Sequence, residues 1–174
     1  MQGRSRMHIS VRLLSFVSLL VAAAPAVADE NAFLQSLSGD WRGNGTVVMR
    51  IGRPAVSVDC RLRSDAGAAS ISMKGNCSAL AVFRRAISAE LKARGARYSG
   101  VYVGPSGRPS TLSGNRKGGT INLAVRWSRV VNGDRRAEMT IQKVGDNGLR
   151  LRTVDHNPSN GKTVVTSDIR LVRN

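Results

Sequence analysis

Two cysteines carry the most specific chemistry in this sequence. Cys60 and Cys77 are the two cysteines of the 174-residue chain, and they lie 17 positions apart. In an oxidising compartment such a pair forms a disulfide, whereas Cys-x-x-Cys spacing would indicate redox or zinc chemistry. His156 is the one histidine after residue 28. The sequence therefore predicts a structural disulfide, with no metal site and no cofactor.

The two cysteines fall in strands that we expect to form a hairpin turning at residues 65–68. Such a hairpin places Cys60 opposite Met73 and leaves Cys77 roughly 13 Å further along, at about 3.3 Å per residue. A disulfide needs Cα atoms within about 7 Å of each other. We therefore predict that the second strand breaks near Gly75 and Asn76, so that Cys77 folds back toward Cys60.

Asp155 and His156 are the nearest approach to a catalytic pair. Nucleophilic catalysis needs a base held by a third group beside a nucleophile, and no Gly-x-Ser-x-Gly elbow occurs. Asn157 and Pro158 follow at once, so we expect a turn between strands here. The few acidic residues fall mostly in turns or at outward positions such as Asp59, which disfavours catalysis by paired carboxylates. The prediction is a protein that is not an enzyme.

Arginine dominates the charge of the chain. Lys and Arg number 27 against 11 Asp and Glu, a net charge of +16. A leader ending at residue 28 would remove three arginines and no acid, which leaves +13. Such a charge attracts anionic partners. For an exported protein these are envelope lipids, polysaccharides or acidic proteins rather than nucleic acid; alternatively, arginine only keeps the outer surface soluble. The candidate anion-binding surface comprises Arg61, Arg63, Arg126, Arg150 and Arg152.

The elements that would position these residues are β-strands. Apolar and polar residues alternate with a period of two, as over residues 56–63, and such runs recur about ten times. Turn-forming residues such as Asn132 and Gly133 separate the runs. Closing the strands into a barrel buries their apolar faces and removes the sheet edges. We predict an all-β fold, an antiparallel up-and-down β-barrel of about 8–10 strands with a short N-terminal helix. A two-sheet sandwich is the alternative.

A few aromatic and sulfur-bearing residues are candidates to line the inside of the barrel. Aromatic residues make up only 4% of the chain, so no stacking platform for bases or sugars is expected. A small apolar or amphipathic ligand would instead contact single side chains at a barrel mouth. The candidates are Tyr98, Tyr102, Trp127 and Met139.

The first 28 residues have the pattern of a removable export signal. Arginines precede an apolar run over residues 13–24, and Ala26-Val27-Ala28 supplies a small-x-small cleavage site. The run is shorter than the roughly 20 residues that span a bilayer. We therefore predict that residues 29–174 form one exported domain without a membrane anchor, in the Gram-negative periplasm or, as the second possibility, secreted.

Gly39-Asp40-Trp41, at the start of the first strand, resembles the opening motif of the lipocalin and calycin superfamily. The resemblance implies a barrel whose closed end is plugged by Trp41. It also implies that an arginine of the last strand, Arg170 or Arg173, packs across that tryptophan. This role is structural, so the resemblance predicts a fold and not a ligand.

A second resemblance is to small periplasmic metalloprotease inhibitors, on Leu37-x-Gly39-x-Trp41 followed by two cysteines. It implies that residues 29–33 form a trunk that enters a protease cleft. The chain is also similar to exported proteins of alphaproteobacteria, which implies no function. Three functions remain open: a barrel that binds a small apolar or amphipathic ligand, an inhibitor or partner of an envelope protein, and a factor whose arginine face contacts anionic lipid or polysaccharide.

Overall fold

The computed structural model describes residues 26–80 and 82–174, which form one helix and ten β-strands. Helix α1 spans Ala26–Ser36. The predicted export signal lies outside the described residues except for its last three positions, which belong to α1. The strands are β1 (Gly39–Val47), β2 (Val56–Ala66), β3 (Ser70–Ala79), β4 (Phe83–Arg94), β5 (Arg97–Val103), β6 (Pro109–Lys117), β7 (Thr120–Val131), β8 (Asp134–Val144), β9 (Gly148–His156) and β10 (Thr163–Arg173).

The ten strands form a closed antiparallel barrel in which neighbours in space are neighbours in sequence. The barrel closes where β1 pairs with β10, over residues from Trp41 to Val47 of β1. This arrangement confirms the predicted up-and-down barrel, with a strand number at the top of the expected range. Closure gives every strand two partners, so the barrel has no unpaired sheet edge.

Period-two alternation decides which side chains enter the barrel. In β2, burial alternates through Val58, Cys60 and Leu62, while the residues between them are exposed. The half of the barrel near α1 is tightly filled by large aliphatic side chains. These are Ile71, Leu91, Ile121, Ile141, Leu149 and Leu171, each at most 2% exposed.

Glycines on β1 allow the closing pair of strands to approach closely. A Cβ atom at Gly43 would collide with the carbonyl oxygen of Arg170, and one at Gly45 with that of Asp168. Because the colliding atoms belong to the backbone of β10, a side-chain rearrangement could not relieve the clash. The seam of the barrel therefore requires glycine at both positions.

The predicted disulfide is present, but the predicted register of its hairpin is wrong. Cys60 and Cys77 are directly paired across β2 and β3, with their Cα atoms 4.1 Å apart. The residue opposite Met73 is Ser64, because β2 continues to Ala66 before the chain turns. β3 therefore runs without the predicted break through Gly75. Alternation specifies the face of each residue, but it does not specify where the hairpin turns.

Candidate functional site

Helix α1 closes one end of the barrel. Leu34 in the helix and Leu37 just after it are fully buried, and Trp41 below them is 1% exposed. The indole N–H of Trp41 donates to the carbonyl oxygen of Leu37 at 3.1 Å and to Ser64 Oγ at 3.0 Å. The large ring is thus both buried and satisfied in its hydrogen bonding, and it fills the barrel end beneath the helix.

The last strand supplies an arginine that packs over this plug. The guanidinium carbon of Arg173 lies 4.4 Å from the ring centroid of Trp41, and the group donates to the backbone carbonyls of Ser36, at the end of α1, and Ser38, just after it. Gly39 lies directly beneath Arg173, with a φ of +136° and no room for a side chain. Arg170, the other candidate, is exposed on the outer face of β10. The structure therefore places Gly39, Trp41 and Arg173 together and Arg170 apart.

A charged cluster ties the first turns of α1 to the barrel. Glu30 is buried, accepts a hydrogen bond from Tyr98 Oη and accepts another from Arg116 Nε at 2.9 Å. Arg116 also pairs with Asp29 and lies 4.7 Å from the ring of Phe33. Burial and the hydrogen bond to Glu30 raise the pKa of Tyr98. Tyr98 therefore belongs to the closed end and lines neither cavity described below.

The opposite end of the barrel is open. A cleft of about 250 Å³ lies between the strand ends and loops there, and a pocket of about 60 Å³ continues it inward. The two cavities share Ile87, Tyr102, Thr153, Ser167 and Ile169 on their walls. Below this shared ring the inner pocket is lined mainly by apolar side chains, among them Leu62, Met73, Met139, Ile141 and Leu151. The barrel interior is thus packed near α1 and open near the mouth.

Two aromatic side chains stand at the mouth. The rings of Tyr102 and Trp127 meet edge to face, with their centroids 6.1 Å apart. Both line the cleft, and burial raises the pKa of Tyr102 to about 12. Met139 lies deeper and lines the inner pocket. Three of the four residues proposed to contact a ligand therefore lie along one continuous opening.

Asp155, which the sequence analysis assigned to a turn, is a functional candidate in the structure. It lies within β9, not in the predicted turn, and it points inward in phase with Leu149 and Leu151. His156 takes the outward phase, so the two residues do not share a face. The signal that could have revealed Asp155 is the alternation of β9, which continues through the polar residues at its end.

Asp155 is buried, yet it has no cationic partner. It is 2% exposed, accepts a hydrogen bond from Trp127 Nε1 at 3.2 Å and accepts another from Thr166 Oγ1. A β-bulge between Val165 and Ser167 turns Thr166 inward to make this contact. Among the described residues, no Lys, Arg or His lies within ion-pair distance of Asp155. A buried carboxylate held only by neutral donors favours a further donor on a bound molecule.

The five arginines predicted to form an anion-binding surface do not form one patch. Arg61 and Arg63 lie on β2, Arg126 on β7, and Arg150 and Arg152 on β9. Between β2 and β9 lie β1 and β10. Arg150 is also engaged by an acid, since its Nε donates to an Asp168 oxygen at 2.8 Å. That hydrogen bond holds the pKa of the Asp168 carboxyl below its usual value.

A different set of arginines surrounds the open mouth. Arg85, Arg108 and Arg129 line the outer cleft together with the buried Asp155. Period-two alternation could not identify them, because they lie at strand ends and in a connection. The mouth therefore has a cationic outer rim, one buried carboxylate and an apolar interior.

These features define the class of the protein as a helix-capped, closed ten-stranded antiparallel β-barrel. No protein-family model and no curated protein sequence matches the chain. Among solved structures it is similar to Rv2717c from M. tuberculosis, with a TM-score of 0.65 and 14% identity over 87% of this chain and 98% of that chain. At this identity the similarity shows a shared fold alone.

Two structural facts bear on the predicted location. The Cys60–Cys77 disulfide is compatible with an exported protein, because such bonds persist in oxidising compartments. Within residues 26–80 and 82–174, no helix is long and apolar enough to cross a membrane.

Proposed function

We propose that this protein is a non-enzymatic, exported binding protein that holds a small amphipathic ligand in the open half of its barrel. The observation that carries the proposal is the cleft that narrows into an apolar pocket. Small-molecule sites are concave and mostly apolar, with a few placed polar groups. The closed half of the barrel is filled, so the cavity has a floor and opens at the mouth.

The cavity walls indicate how such a ligand would lie. Its apolar end would enter the inner pocket beside Met139, and its polar end would remain near Asp155 and the mouth arginines. The inner pocket of about 60 Å³ has room for roughly four water-sized groups. The ligand would therefore carry a short or compact apolar group, a hydrogen-bond donor facing Asp155 and an anionic group toward the rim.

A lipocalin-like grouping and a periplasmic location belong to the same proposal. Support for the grouping comes from Gly39, Trp41 and Arg173 at the closed end, and support for the location comes from the leader pattern and the disulfide. The inhibitor alternative has less support. Its trunk, residues 29–33, lies in α1 with Glu30 and Phe33 buried, and would have to leave the barrel to enter a protease cleft.

The two tryptophans provide a direct test. Trp127 stands in the mouth and Trp41 under the helix, so a ligand in the mouth should change the fluorescence of Trp127 more than that of Trp41. We expect anilinonaphthalene sulfonate to quench the tryptophan emission. Octanoate should displace this probe and restore the emission. In Trp127→Phe the remaining emission from Trp41, at the far end of the barrel, should be quenched less by the probe than wild-type emission is.

A blocking variant and its control show whether the cavity is the site. Ser167→Phe places a ring where the two cavities meet, whereas Ser57→Phe places the same ring on the exposed outer face of β2. We expect Ser167→Phe to weaken binding of both probes at least tenfold and Ser57→Phe to leave it within twofold. Equal probe binding by both variants and wild type, or no binding by any, would rule out the proposed function.

A further inference from the structure

The turn between β3 and β4 is apolar where turn-forming residues are expected. Residues 79–83 read Ala-Leu-Ala-Val-Phe. Leu80 and Val82 are each 76% exposed, and Phe83 is 57% exposed. Leu80 also has a φ of 50°, a left-handed conformation that glycine or asparagine would adopt at lower cost. Neither the geometry of the turn nor the packing of the core accounts for these side chains.

More exposed apolar side chains lie at the same end of the barrel. Met49, in the connection after β1, is 72% exposed and borders the cleft, and Val130, near the end of β7, is 61% exposed. The connection is held to the turn between β7 and β8 by a hydrogen bond from Ile51 N–H to Asn132 Oδ1 at 3.1 Å. We call Met49, Leu80, Val82, Phe83 and Val130 the apolar rim.

Arginines are interleaved with the apolar rim in the sequence. Arg50 follows Met49, Arg84 and Arg85 follow Phe83, and Arg129 precedes Val130. Clustered exposed apolar side chains, unlike isolated ones, mark an interaction surface. Apolar residues flanked by cations match the interface of an anionic bilayer, where apolar groups enter the acyl boundary and guanidinium groups meet phosphates. The rim side chains come from two separate loops and from the ends of β4 and β7, a shape that suits a deformable lipid surface better than a flat protein face.

We propose that the mouth of the barrel docks onto an anionic phospholipid surface through the apolar rim. Leu80, Val82 and Phe83 enter the head-group region, and the arginines beside them contact lipid phosphates. The contact therefore lies at the mouth and not on the strand arginines Arg61 and Arg63. In this orientation the cleft opens toward the bilayer, so an amphipathic molecule can pass between lipid and barrel without crossing water.

Vesicle partitioning tests the docking surface directly. Purified protein is sedimented with one of two kinds of vesicle. The first contains phosphatidylcholine alone, and the second contains phosphatidylcholine with about 30% phosphatidylglycerol. We expect binding to the anionic vesicles, and a loss of at least tenfold in the partition coefficient for Leu80→Ser/Phe83→Ser, because two large apolar side chains no longer enter the head-group region. The matched control Val144→Ser/Val172→Ser removes two side chains that are 49% and 56% exposed at the closed end. It should change partitioning less than twofold.

An insertion readout keeps the proposal testable if the double variant is unstable. In Phe83→Trp the new indole should shift its emission to shorter wavelength on anionic vesicles and be quenched by brominated lipid. Val172→Trp should do neither. The proposal is overturned if anionic vesicles do not bind the protein, if both double variants bind equally, or if the rim substitutions instead abolish self-association.

This test is separable from that of the proposed function. Leu80 and Phe83 line neither cavity, so anilinonaphthalene sulfonate should bind Leu80→Ser/Phe83→Ser as it binds wild type. Normal probe binding without vesicle binding would refute lipid docking alone. Vesicle binding without probe binding would refute the ligand cavity alone.

Discussion

Replacing Cys60 and Cys77 by alanine removes the covalent link between β2 and β3 and releases the loop between them in the unfolded chain. The bond closes a loop with a sequence separation of 17 residues. Loop-closure entropy for that length corresponds to about 3 kcal/mol at 25 °C. For a domain of this size, each kcal/mol shifts the melting temperature by about 2–4 °C, so we expect a decrease of roughly 6–12 °C.

Urea denaturation followed by far-UV circular dichroism measures this loss, together with thermal melting. The alanine pair also removes two sulfur atoms, and Cys60 is buried. Wild-type protein kept reduced supplies the control, because its thiols remain in place while the link is open. We expect reduced wild type to lose about 3 kcal/mol and the alanine pair somewhat more.

Two results would refute this reasoning. A loss below about 1 kcal/mol for reduced wild type would mean that opening the link adds little freedom to the unfolded chain. A reduced protein with no cooperative transition would mean that the bond, and not the paired strands, holds β2 and β3 together. Cys60 and Cys77 pair directly across an unbroken ladder, so we expect reduced protein to lose about 3 kcal/mol and still unfold cooperatively.

Three further predictions concern the closed end and the ionisable groups. Arg173→Met should lower the free energy of unfolding in urea by about 1–3 kcal/mol, since it removes a cation over Trp41 and two hydrogen bonds to carbonyls; Arg170→Met should leave it nearly unchanged. Burial raises the pKa of Tyr102 from 10.0 to about 12. The contribution of its neutral hydroxyl to the free energy of unfolding is therefore complete below pH 10 and is lost as pH rises through 12. In Tyr102→Phe the free energy of unfolding in urea should depend less on pH across that range. The hydrogen bond from Arg150 lowers the pKa of Asp168 from 3.8, so the ion pair contributes to the free energy of unfolding above that pH, and the contribution is lost as pH falls below it. Asp168→Asn should therefore reduce the loss of stability on acidification. An unchanged loss would contradict the pairing.

Local patterning in the sequence is sufficient to predict most of the architecture. Alternation over two residues identifies the inward side chains of β2, β4, β7 and β8, and turn-forming residues separate the runs. With short connections, these strands can bury their apolar faces by closing in chain order, and the structure has that closure. The resemblance of Gly39-Asp40-Trp41 to the lipocalin motif implied the plug of Trp41, and the even number of cysteines predicted a disulfide.

The candidate site was less accessible from the sequence because it depends on where strands end. The residues that follow Asp155 are typical of a turn, but in the structure β9 extends to His156 and includes Asp155. The inward position of Thr166 results from a β-bulge, which the alternation of apolar and polar residues does not predict. The mouth arginines Arg85, Arg108 and Arg129 come together from three separate segments of the chain.

The amino-acid sequence by itself determined that this chain is rich in amphipathic strands, strongly basic and able to form a disulfide. A period of two is a local property, so it specifies faces without specifying register. Only the tertiary structure decided that Cys60 faces Cys77, that Arg173 rather than Arg170 covers Trp41, and that one half of the barrel is filled while the other is open. Each of these outcomes depends on contacts between residues distant in sequence, and those contacts exist only once the strands have paired and the barrel has closed.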